Sequence, residues 1–427
     1  MAHVDLAPAP PSVAVATWRH DPAVRLLLLL VVLASITAGI VAATLPLDDG
    51  FDELAHYSYA RAMAERPTLL PDHDALRMLD DAGIDWSDQP NYLAHPPLYH
   101  LAVAPLAVAP LAAATPGDPR PVRFVDLGLV AVGLLLAGFG GLTRLTDPHA
   151  RLVFVATLFG LPVTIGVAGL VNNDDLMIAE IGALFFLLAR DRAPPWAIAL
   201  LLALLGWTKF TGLVAGATAV VLLRSVDVTT GRTRLLGAET LLPAAGLLVG
   251  LVPTPVTFAT HGRPVWIPAA FPDWFEVIAP ADRAAIGLLD FAGLYLDHLG
   301  RRLPYRADDF DAGAILIALF AAAALSLRSI PADRRTPTLA RVGLLTTALF
   351  VVLHFVHAWF SMRNQGILAD LQTRYLAAIW PFFSFAIALG LAGLPHRTRR
   401  YATAVHYAGL IAISVFGAAV FRFAAPV

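Results

Sequence analysis

The chain has 427 residues, of which 58% are hydrophobic and only 15% are charged, and its formal net charge at pH 7 is -2. Soluble domains carry about 25% charged residues, so this composition excludes an ordinary soluble protein, and the near-neutral balance argues against nucleic acid as a partner. The absence of cysteine excludes disulfides, thiolate nucleophiles and cysteine metal sites.

Apolar runs of about 17–25 residues, long enough to cross a bilayer as helices, recur along the whole chain. We therefore expect an all-α, polytopic transmembrane helical bundle of about 11 spans, with amphipathic interfacial helices in the first outer loop. The first span, residues 24–45, is interpreted as an uncleaved anchor because the Pro/Ala-rich residues before it lack a small-residue cleavage site. The other spans are expected to begin near residues 124, 152, 175, 194, 209, 235, 311, 342, 374 and 401.

A further apolar segment, residues 96–113, contains four prolines, and a straight helical span is therefore not expected there. If this segment does not cross, the Arg-rich loops fall on the same side as the N-terminus, as the positive-inside rule requires of the cytoplasm. The sequence thus predicts a multi-pass cell-membrane protein with a cytoplasmic N-terminus and its concentrated acidic and polar residues on the outer face.

This topology divides the chain into three parts. Residues 1–23 form a cytoplasmic tail. Residues 24–225 form a transmembrane module with the outer loop 47–123, and residues 226–427 form a C-terminal transmembrane region with the outer loop 257–310.

The stretch FDELAHYSYARAMAERP (51–67) follows the first span and carries the acidic pair Asp52 and Glu53. One interpretation is structural: Asp49 as N-cap and acidic residues in the first turn stabilise a short amphipathic helix that ends at Pro67. The other is functional, since Asp52 and His56 are four residues apart on one helix face at the bilayer surface.

The stretch NYLAHPPLYH (91–100) places His95 before two prolines, which hold the preceding backbone extended. It is either a simple entry corner to the membrane or a rigid support that holds His95 facing the acidic pair.

The turn VNNDDLMIAE also has two interpretations. Asn172, Asn173 and Asp174 could cap the following helix, or Asp174 and Asp175 could form a second carboxylate focus on the outer face.

Two basic residues lie where the positive-inside rule does not explain them. Lys209 is the single lysine among the 30 Lys and Arg residues, and Arg374 precedes an apolar span on the outer side. A lysine at a helix end can simply snorkel to the interface, but an ammonium and a guanidinium at this surface also suit phosphate binding.

The order and spacing of these motifs resemble the GT-C superfamily of membrane glycosyltransferases, which includes the protein O-mannosyltransferases and the lipid A aminoarabinose transferases. The resemblance covers roughly residues 24–225 well and the C-terminal half loosely. It rests on Asp52-Glu53, Pro96-Pro97-Leu98-Tyr99, Asp174 (or Asp175), Thr208-Lys209 and Arg374-Tyr375.

The resemblance implies a hexosyl- or pentosyltransferase of the cell envelope that uses a polyprenyl-phosphate-linked sugar donor and inverts the anomeric centre. Its acceptor would be a hydroxyl of an unknown glycan, lipid or protein on the outer face. The implied roles are a base (Asp52), groups that orient the acceptor or hold a cation (Glu53 and Asp174), phosphate-binding groups (His95, Lys209 and Arg374) and supporting groups (His56, Asn173, Asp175 and Tyr99).

The sequence departs from the aminoarabinose transferases at Ala94-His95, where they carry Glu-Lys, so a metal ligand at position 94 is absent. A divalent cation such as Mg²⁺ or Mn²⁺, with Glu53 and Asp174 as candidate ligands, is left open. The alternative function is a membrane transporter or lipid flippase, but such sites usually place ionisable groups near the bilayer midplane. Here Glu180 is the main ionisable residue within a span.

Overall fold

The computed structural model describes residues 20–47, 52–108, 117–263, 278–301, 335–366 and 373–423. Its helices, numbered in chain order, are α1 (Pro22–Thr44), α2 (Glu53–Glu65), α3 (Leu98–Val108), α4 (Arg120–Leu142), α5 (Pro148–Leu158), α6 (Pro162–Val167), α7 (Asn173–Ala189), α8 (Pro195–Thr208), α9 (Phe210–Thr229), α10 (Ala238–Leu251), α11 (Pro253–His261), α12 (Pro280–Ala285), α13 (Leu288–Arg301), α14 (Arg335–Gln365), α15 (Trp380–Ala392) and α16 (His396–Phe423). A short 3₁₀ helix (Thr373–Ala378) and two strands, β1 (Arg77–Leu79) and β2 (Trp86–Pro90), complete the described elements.

The prediction of a multi-helix membrane protein is confirmed in its class. Within the described residues, five helical segments are long and apolar enough to cross a membrane, namely Pro22–Thr44, Arg120–Leu142, Phe210–Thr229, Ala238–His261 and Arg335–Gln365. Shorter apolar helices, such as α8 and α15, accompany these five segments. The number of spans stays a prediction, and the run expected near residue 311 lies outside the described residues.

Helix α1 has the burial pattern of a helix at the edge of a membrane bundle. Leu27 and Ala38 face the interior, whereas Leu29, Ile36 and Ile40 are more than half exposed on the opposite side. Both faces are apolar, so the exposed side suits contact with lipid rather than with water.

Helices α4 and α7 pack with their backbones almost in contact, because glycines lie at the crossing. A Cβ atom on Gly133 would lie 2.6 Å from the carbonyl oxygen of Ile178, and Gly182 on α7 faces Gly133 in turn. Small residues allow this close approach in membrane helices, where van der Waals packing drives association. The crossing brings the N-terminal ends of α4 and α7, with their ionisable residues, close to each other.

The segment between α1 and α4 is a packed unit. Helix α2 ends at Glu65, as Pro67 predicted, and packs against α3 and β1. Strands β1 and β2 form an antiparallel pair that the sequence analysis did not predict. Helix α3 has 11 residues, too few to span a bilayer alone, and residues 109–116 lie outside the described ranges.

Two predicted spans differ in detail from the structure. The run near residue 152 is split into α5 and α6, because Pro162 starts a new helix after Gly160-Leu161. The run near residue 374 begins as the 3₁₀ helix, and α15 follows only from Trp380. The 3₁₀ helix lies against α7 and α9, which carries Arg374 to the N-terminal ends of these two helices.

Candidate active site

Asp52 lies immediately before α2 and has an unusual backbone conformation. Its φ angle of 51° is left-handed, and it is the only non-glycine residue with positive φ in the described part of the chain. This region costs an L-residue other than glycine roughly 1–2 kcal/mol, and such strain clusters at functional sites. The proposed N-cap, Asp49, lies outside the described residues; the N-cap position of α2 is occupied by Asp52, whose side chain makes no capping hydrogen bond.

The Asp52 carboxylate instead points to two distant segments. Its Oδ1 accepts a 2.7 Å hydrogen bond from the Tyr92 hydroxyl, and its Oδ2 accepts one of 2.5 Å from Nη2 of Arg374. The side chain of Asp52 retains 18% exposure, whereas that of Arg374 has 5%. Asp52 is therefore the accessible end of a buried charge network.

Asp174 is the second acidic member of this network. The capping role at α7 belongs to Asn172, whose Oδ1 accepts from the Asp174 backbone N–H at 2.9 Å. The Asp174 side chain is consequently available for other contacts. Its Oδ1 accepts from Lys209 Nζ at 2.6 Å, and its Oδ2 lies 3.6 Å from Nε of Arg374.

Lys209 and Arg374 share an aromatic neighbour. Lys209 occupies the non-helical junction between α8 and α9, and its Nζ lies 5.1 Å from the centroid of the Tyr375 ring. The guanidinium carbon of Arg374 lies 5.7 Å from the same centroid. Cations within about 6 Å of a ring face are attracted by its quadrupole, so Tyr375 holds both cations beside Asp174.

Glu53 has a different environment from its neighbour Asp52. Its two carboxylate oxygens accept from Nε and Nη2 of Arg123, each at 2.6 Å, and Oε1 also accepts from the Val171 N–H at 2.7 Å. Both side chains of the pair are essentially fully buried. Burial raises the pKa of Glu53, and the Arg123 guanidinium opposes that rise. This two-pronged ion pair fixes the start of α2 against α4.

The histidines of the first loop form a stacked row. The His56 ring is parallel to His95, with centroids 5.7 Å apart, and His56 Nδ1 lies 3.1 Å from His100 Nε2. The His100 ring stacks in turn on Tyr59 at 3.8 Å. Burial lowers the pKa values of His56 and His95, and the positive charges of Lys209 and Arg374 lower them further. Both imidazoles are therefore neutral at pH 7.

A second group of acidic side chains lies deeper, between α4 and α7. The Tyr99 hydroxyl donates a 2.6 Å hydrogen bond to Oδ2 of Asp126, and both residues are fully buried. Asp175 is also fully buried, and neither of its carboxylate oxygens has a hydrogen-bond partner among the described residues. Asn173 points elsewhere, donating from Nδ2 to the Thr208 carbonyl oxygen at 3.2 Å.

The structure thus joins Asp52, Asp174, Lys209 and Arg374 in one chain of contacts, and it places His95 and His56 beside them. Glu53 and Tyr99 lie behind this group. Four participants were not predicted from the sequence, namely Tyr92, Arg123, Asp126 and His100. Arg123 and Asp126 did carry a signal, since they lie three residues apart at the start of an apolar run.

The two carboxylates considered as metal ligands already have cationic partners. Glu53 is paired with Arg123, and Asp174 is paired with Lys209. These residues do not fit a divalent cation in this arrangement, because a metal ion there would face two buried positive side chains.

A cleft of about 270 Å³ opens next to the His95-Pro96-Pro97 corner. One wall is the loop 69–73 and the other is α11, from Pro253 to His261. The lining combines leucine, proline and valine side chains with Asp72, His73 and His261.

Comparisons with known proteins return structural likeness only. No protein-family model matches the chain, and a search of curated proteins finds no match. Among solved structures, ArnT from Cupriavidus metallidurans in the apo state is 15% identical, with a TM-score of 0.37; the match covers 85% of this chain and 76% of that one. ArnT from the same organism bound to undecaprenyl phosphate is 14% identical, with a TM-score of 0.36 and coverage of 89% and 78%.

Identity and TM-score are both low, and the activity of this chain has to be inferred from its own side chains.

Proposed function

We propose that the protein is an integral-membrane glycosyltransferase that moves a sugar from a polyprenyl-phosphate donor to an acceptor hydroxyl on the outer face of the membrane. The observation that carries this proposal is the convergence of Asp52, Asp174, Lys209 and Arg374. These residues come from four separate segments of the chain and form one contiguous charge network.

Burying a charge network of this kind would cost free energy if its role were only structural. Burying ionised groups carries a desolvation penalty that ion pairing often fails to repay, and ionisable residues at membrane depth generally mark functional sites. Lys209 and Asp174 are 2% and 0% exposed. A role in chemistry explains why the chain keeps its single lysine at this position.

The two cations suit a phosphate that leaves as an anion. Arg374 presents a planar fork that matches phosphate oxygens, and Lys209 supplies a compact point charge. In the absence of donor both cations are neutralised by Asp52 and Asp174. When the donor phosphate binds, Arg374 exchanges its contact with Asp52 for the phosphate, which releases the carboxylate.

The released Asp52 then acts as the base. The acceptor oxygen attacks the anomeric carbon while Asp52 takes the hydroxyl proton, and the bond from that carbon to the phosphate oxygen breaks with its electron pair. Polyprenyl phosphate leaves against Lys209 and Arg374, which stabilise the charge that develops on it. A single displacement of this kind inverts the anomeric configuration.

The remaining residues hold this group in place. Glu53 anchors α2 through Arg123, so that Asp52 keeps its position. His95, held neutral, can donate an N–H to the phosphate, while His56 stacks behind it. Tyr99 and Asp175 supply polar groups between α4 and α7. Asn173 links the start of α7 to the end of α8 by a hydrogen bond.

The test is turnover by the purified protein in lipid nanodiscs. Polyprenyl-phosphate donors carrying labelled mannose, glucose or arabinose are offered with a cell-envelope extract as acceptor source. The proposal predicts that one donor loses its sugar to an acceptor, with inversion. Failure of every donor, together with protein-dependent movement of intact donor across proteoliposomes, would favour the transporter or flippase alternative.

A further inference from the structure

Glu180 is a buried carboxyl group that the proposed mechanism does not use. Its Oε1 accepts a 2.9 Å hydrogen bond from the Thr208 hydroxyl. Its Oε2 has no hydrogen-bond partner among the described residues, and the carboxyl group forms no ion pair with them. An ionisable residue at membrane depth usually marks a functional site. Since Thr208 is its one hydrogen-bond partner in this part of the chain, any such role of Glu180 acts through Thr208.

Thr208 is the last residue of α8 and directly precedes Lys209. Lys209 has an extended backbone (φ -157°, ψ 128°), so α8 ends at Thr208 and α9 begins at Phe210. The last carbonyl groups of a helix lack a partner within the helix. The Thr208 carbonyl oxygen instead accepts a 3.2 Å hydrogen bond from Nδ2 of Asn173. Helix α7 therefore holds Thr208 by its side chain and by its backbone.

One face of α7 makes these contacts. Asn173 and Glu180 are seven residues apart, which is close to two helical turns, and they lie on the same face. Met177 lies between them on that face and packs against Gly212 of α9, where a Cβ atom would lie only 2.7 Å from Cγ of Met177. This face of α7 thus contacts the chain on both sides of the break at Lys209.

The same helix also supplies the partner of the lysine side chain. Asp174 accepts from Nζ of Lys209 at 2.6 Å. The lysine side chain is a flexible four-carbon stem, so a fixed backbone before Lys209 restricts the positions that its ammonium group can reach. A displacement of about 1 Å at a reacting group can lower a rate by about 10²-fold.

We propose that Glu180 is a positioning residue that acts through Thr208 to hold the ammonium group of Lys209 where the donor phosphate binds. This inference rests on the proposed function, because it assigns Lys209 to that phosphate. It gives Glu180, the main ionisable residue within a predicted span, a role in sugar transfer without contact with the substrate.

The single lysine of the chain allows the position of its side chain to be measured directly. Protein labelled with ¹³C-lysine gives one ε-CH₂ resonance in nanodiscs, and Lys209→Arg identifies it by removing it. Nζ lies 5.1 Å from the centroid of the Tyr375 ring, so the ring current should shift this resonance. Tyr375→Leu should abolish the shift and thereby calibrates it.

The test compares two pairs of variants. Thr208→Val removes the hydroxyl and Glu180→Leu removes the acceptor, and each should abolish the ring-current shift. Thr208→Ser and Glu180→Gln keep a donor and an acceptor, and each should restore it. The double variant Thr208→Val/Glu180→Leu should be no worse than either single variant, because both changes break the same hydrogen bond.

Thr211→Val is the matched control for loss of a hydroxyl. Thr211 lies one turn further along the chain, and its Oγ1 lies 3.7 Å from Sδ of Met177. This variant should keep the parental Lys209 resonance and the parental rate.

Kinetics with a donor that turns over supply the second readout. Displacement of Lys209 should weaken the stabilisation of the departing phosphate, so Thr208→Val and Glu180→Leu should lower kcat by about 10- to 100-fold. The KM for the donor should change less, because Arg374 still binds the phosphate. Thr208→Ser and Glu180→Gln should retain most of the parental kcat.

A parental Lys209 resonance in folded Thr208→Val and Glu180→Leu would overturn the proposal, since the contact would then only tie α7 to α8. Parental kcat in these two variants would also overturn it. A parent resonance that Tyr375→Leu does not move would contradict the position of Lys209 on which the proposal depends. If no donor turns over, the proposed function fails, whereas the resonance still decides whether Glu180 positions Lys209.

Discussion

Lys209 and Asp174 form a buried ion pair at the junction of three helices, with Nζ and Oδ1 2.6 Å apart. Lys209 comes from the break between α8 and α9, and Asp174 from the first turn of α7. Removal of one partner leaves an uncompensated buried charge, which is far more costly than removal of both.

We therefore expect Lys209→Met to lower the free energy of unfolding by about 3–5 kcal/mol. The double variant Lys209→Met/Asp174→Asn should recover most of that loss, yet it should remain inactive because the phosphate has lost its ammonium partner. Denaturant titration in mixed micelles measures the stability, and sugar transfer measures the activity. A double variant with parental activity would remove Lys209 from the phosphate site.

Glu53 and Asp52 are adjacent but should respond differently to loss of charge. Glu53→Gln leaves Arg123 buried without its carboxylate and should cost about 3–5 kcal/mol of unfolding free energy. Glu65→Gln, at the other end of α2, is the matched control, because Glu65 is exposed and accepts a hydrogen bond from the Trp86 indole. Its cost should stay below about 1 kcal/mol. Equal effects of the two changes would contradict the anchoring role of Glu53.

His73 should make the stability of the protein depend on pH. Burial, followed by the charges of His261 and Arg263, lowers the pKa of His73 to about 4 from an ordinary value of 6.5, although Asp72 and Asp74 oppose this. Between these two values the unfolded chain binds a proton that the native chain does not. The contribution of neutral His73 to the free energy of unfolding is therefore complete above pH 6.5 and is lost as pH falls through about 4.

The expected loss from this one group is about 3 kcal/mol over that range. His73→Gln should flatten the pH profile of the free energy of unfolding by the same amount. A variant whose profile coincides with that of the parent would show that His73 titrates normally in the native protein.

The Tyr375 ring should contribute to donor binding through the two cations that lie against it. Tyr375→Leu removes the ring and should weaken the binding of a polyprenyl phosphate about 3- to 30-fold, the range of one or two cation–π contacts. Tyr375→Phe keeps the ring and is the matched control, with a Kd within about threefold of the parent. Microscale thermophoresis with a labelled lipid is a suitable measurement. Equal weakening by both changes would assign the effect to the hydroxyl instead.

Features of the site that depend on neighbouring residues in the sequence could be predicted, whereas features that depend on contacts between distant segments could not. Each member of the charge network carried a local signal. Asp52 lies at the end of a predicted span and Asp174 in an acidic turn. Lys209 is the single lysine, and Arg374 lies on the side where the positive-inside rule does not predict an arginine. Their meeting depends on how α7, α9 and the 3₁₀ helix pack, which no local pattern contains. The order of the motifs and their resemblance to the GT-C superfamily suggested that these four residues lie together, and the packing of the helices brings them together.

Other features lay beyond local patterns for the same reason. In the sequence, Asp52 and Glu53 are simply two adjacent acidic residues. Their environments differ because Arg123 on α4 pairs with Glu53. The left-handed conformation of Asp52 leaves no trace in composition, because aspartate is ordinary at a helix start. The helical, membrane-spanning class was predictable throughout, since hydropathy depends on the local sequence alone.

The measurement that tests the central claim most directly compares the parent with Asp52→Asn in nanodiscs that contain the labelled donor found to turn over. Asp88→Asn, on the same loop, is the control. If Asp52 is the base, its substitution should lower kcat by about 10²- to 10⁴-fold. Donor binding should persist, because Lys209 and Arg374 remain. An Asp52→Asn variant that transfers sugar as fast as the parent and Asp88→Asn would contradict the account.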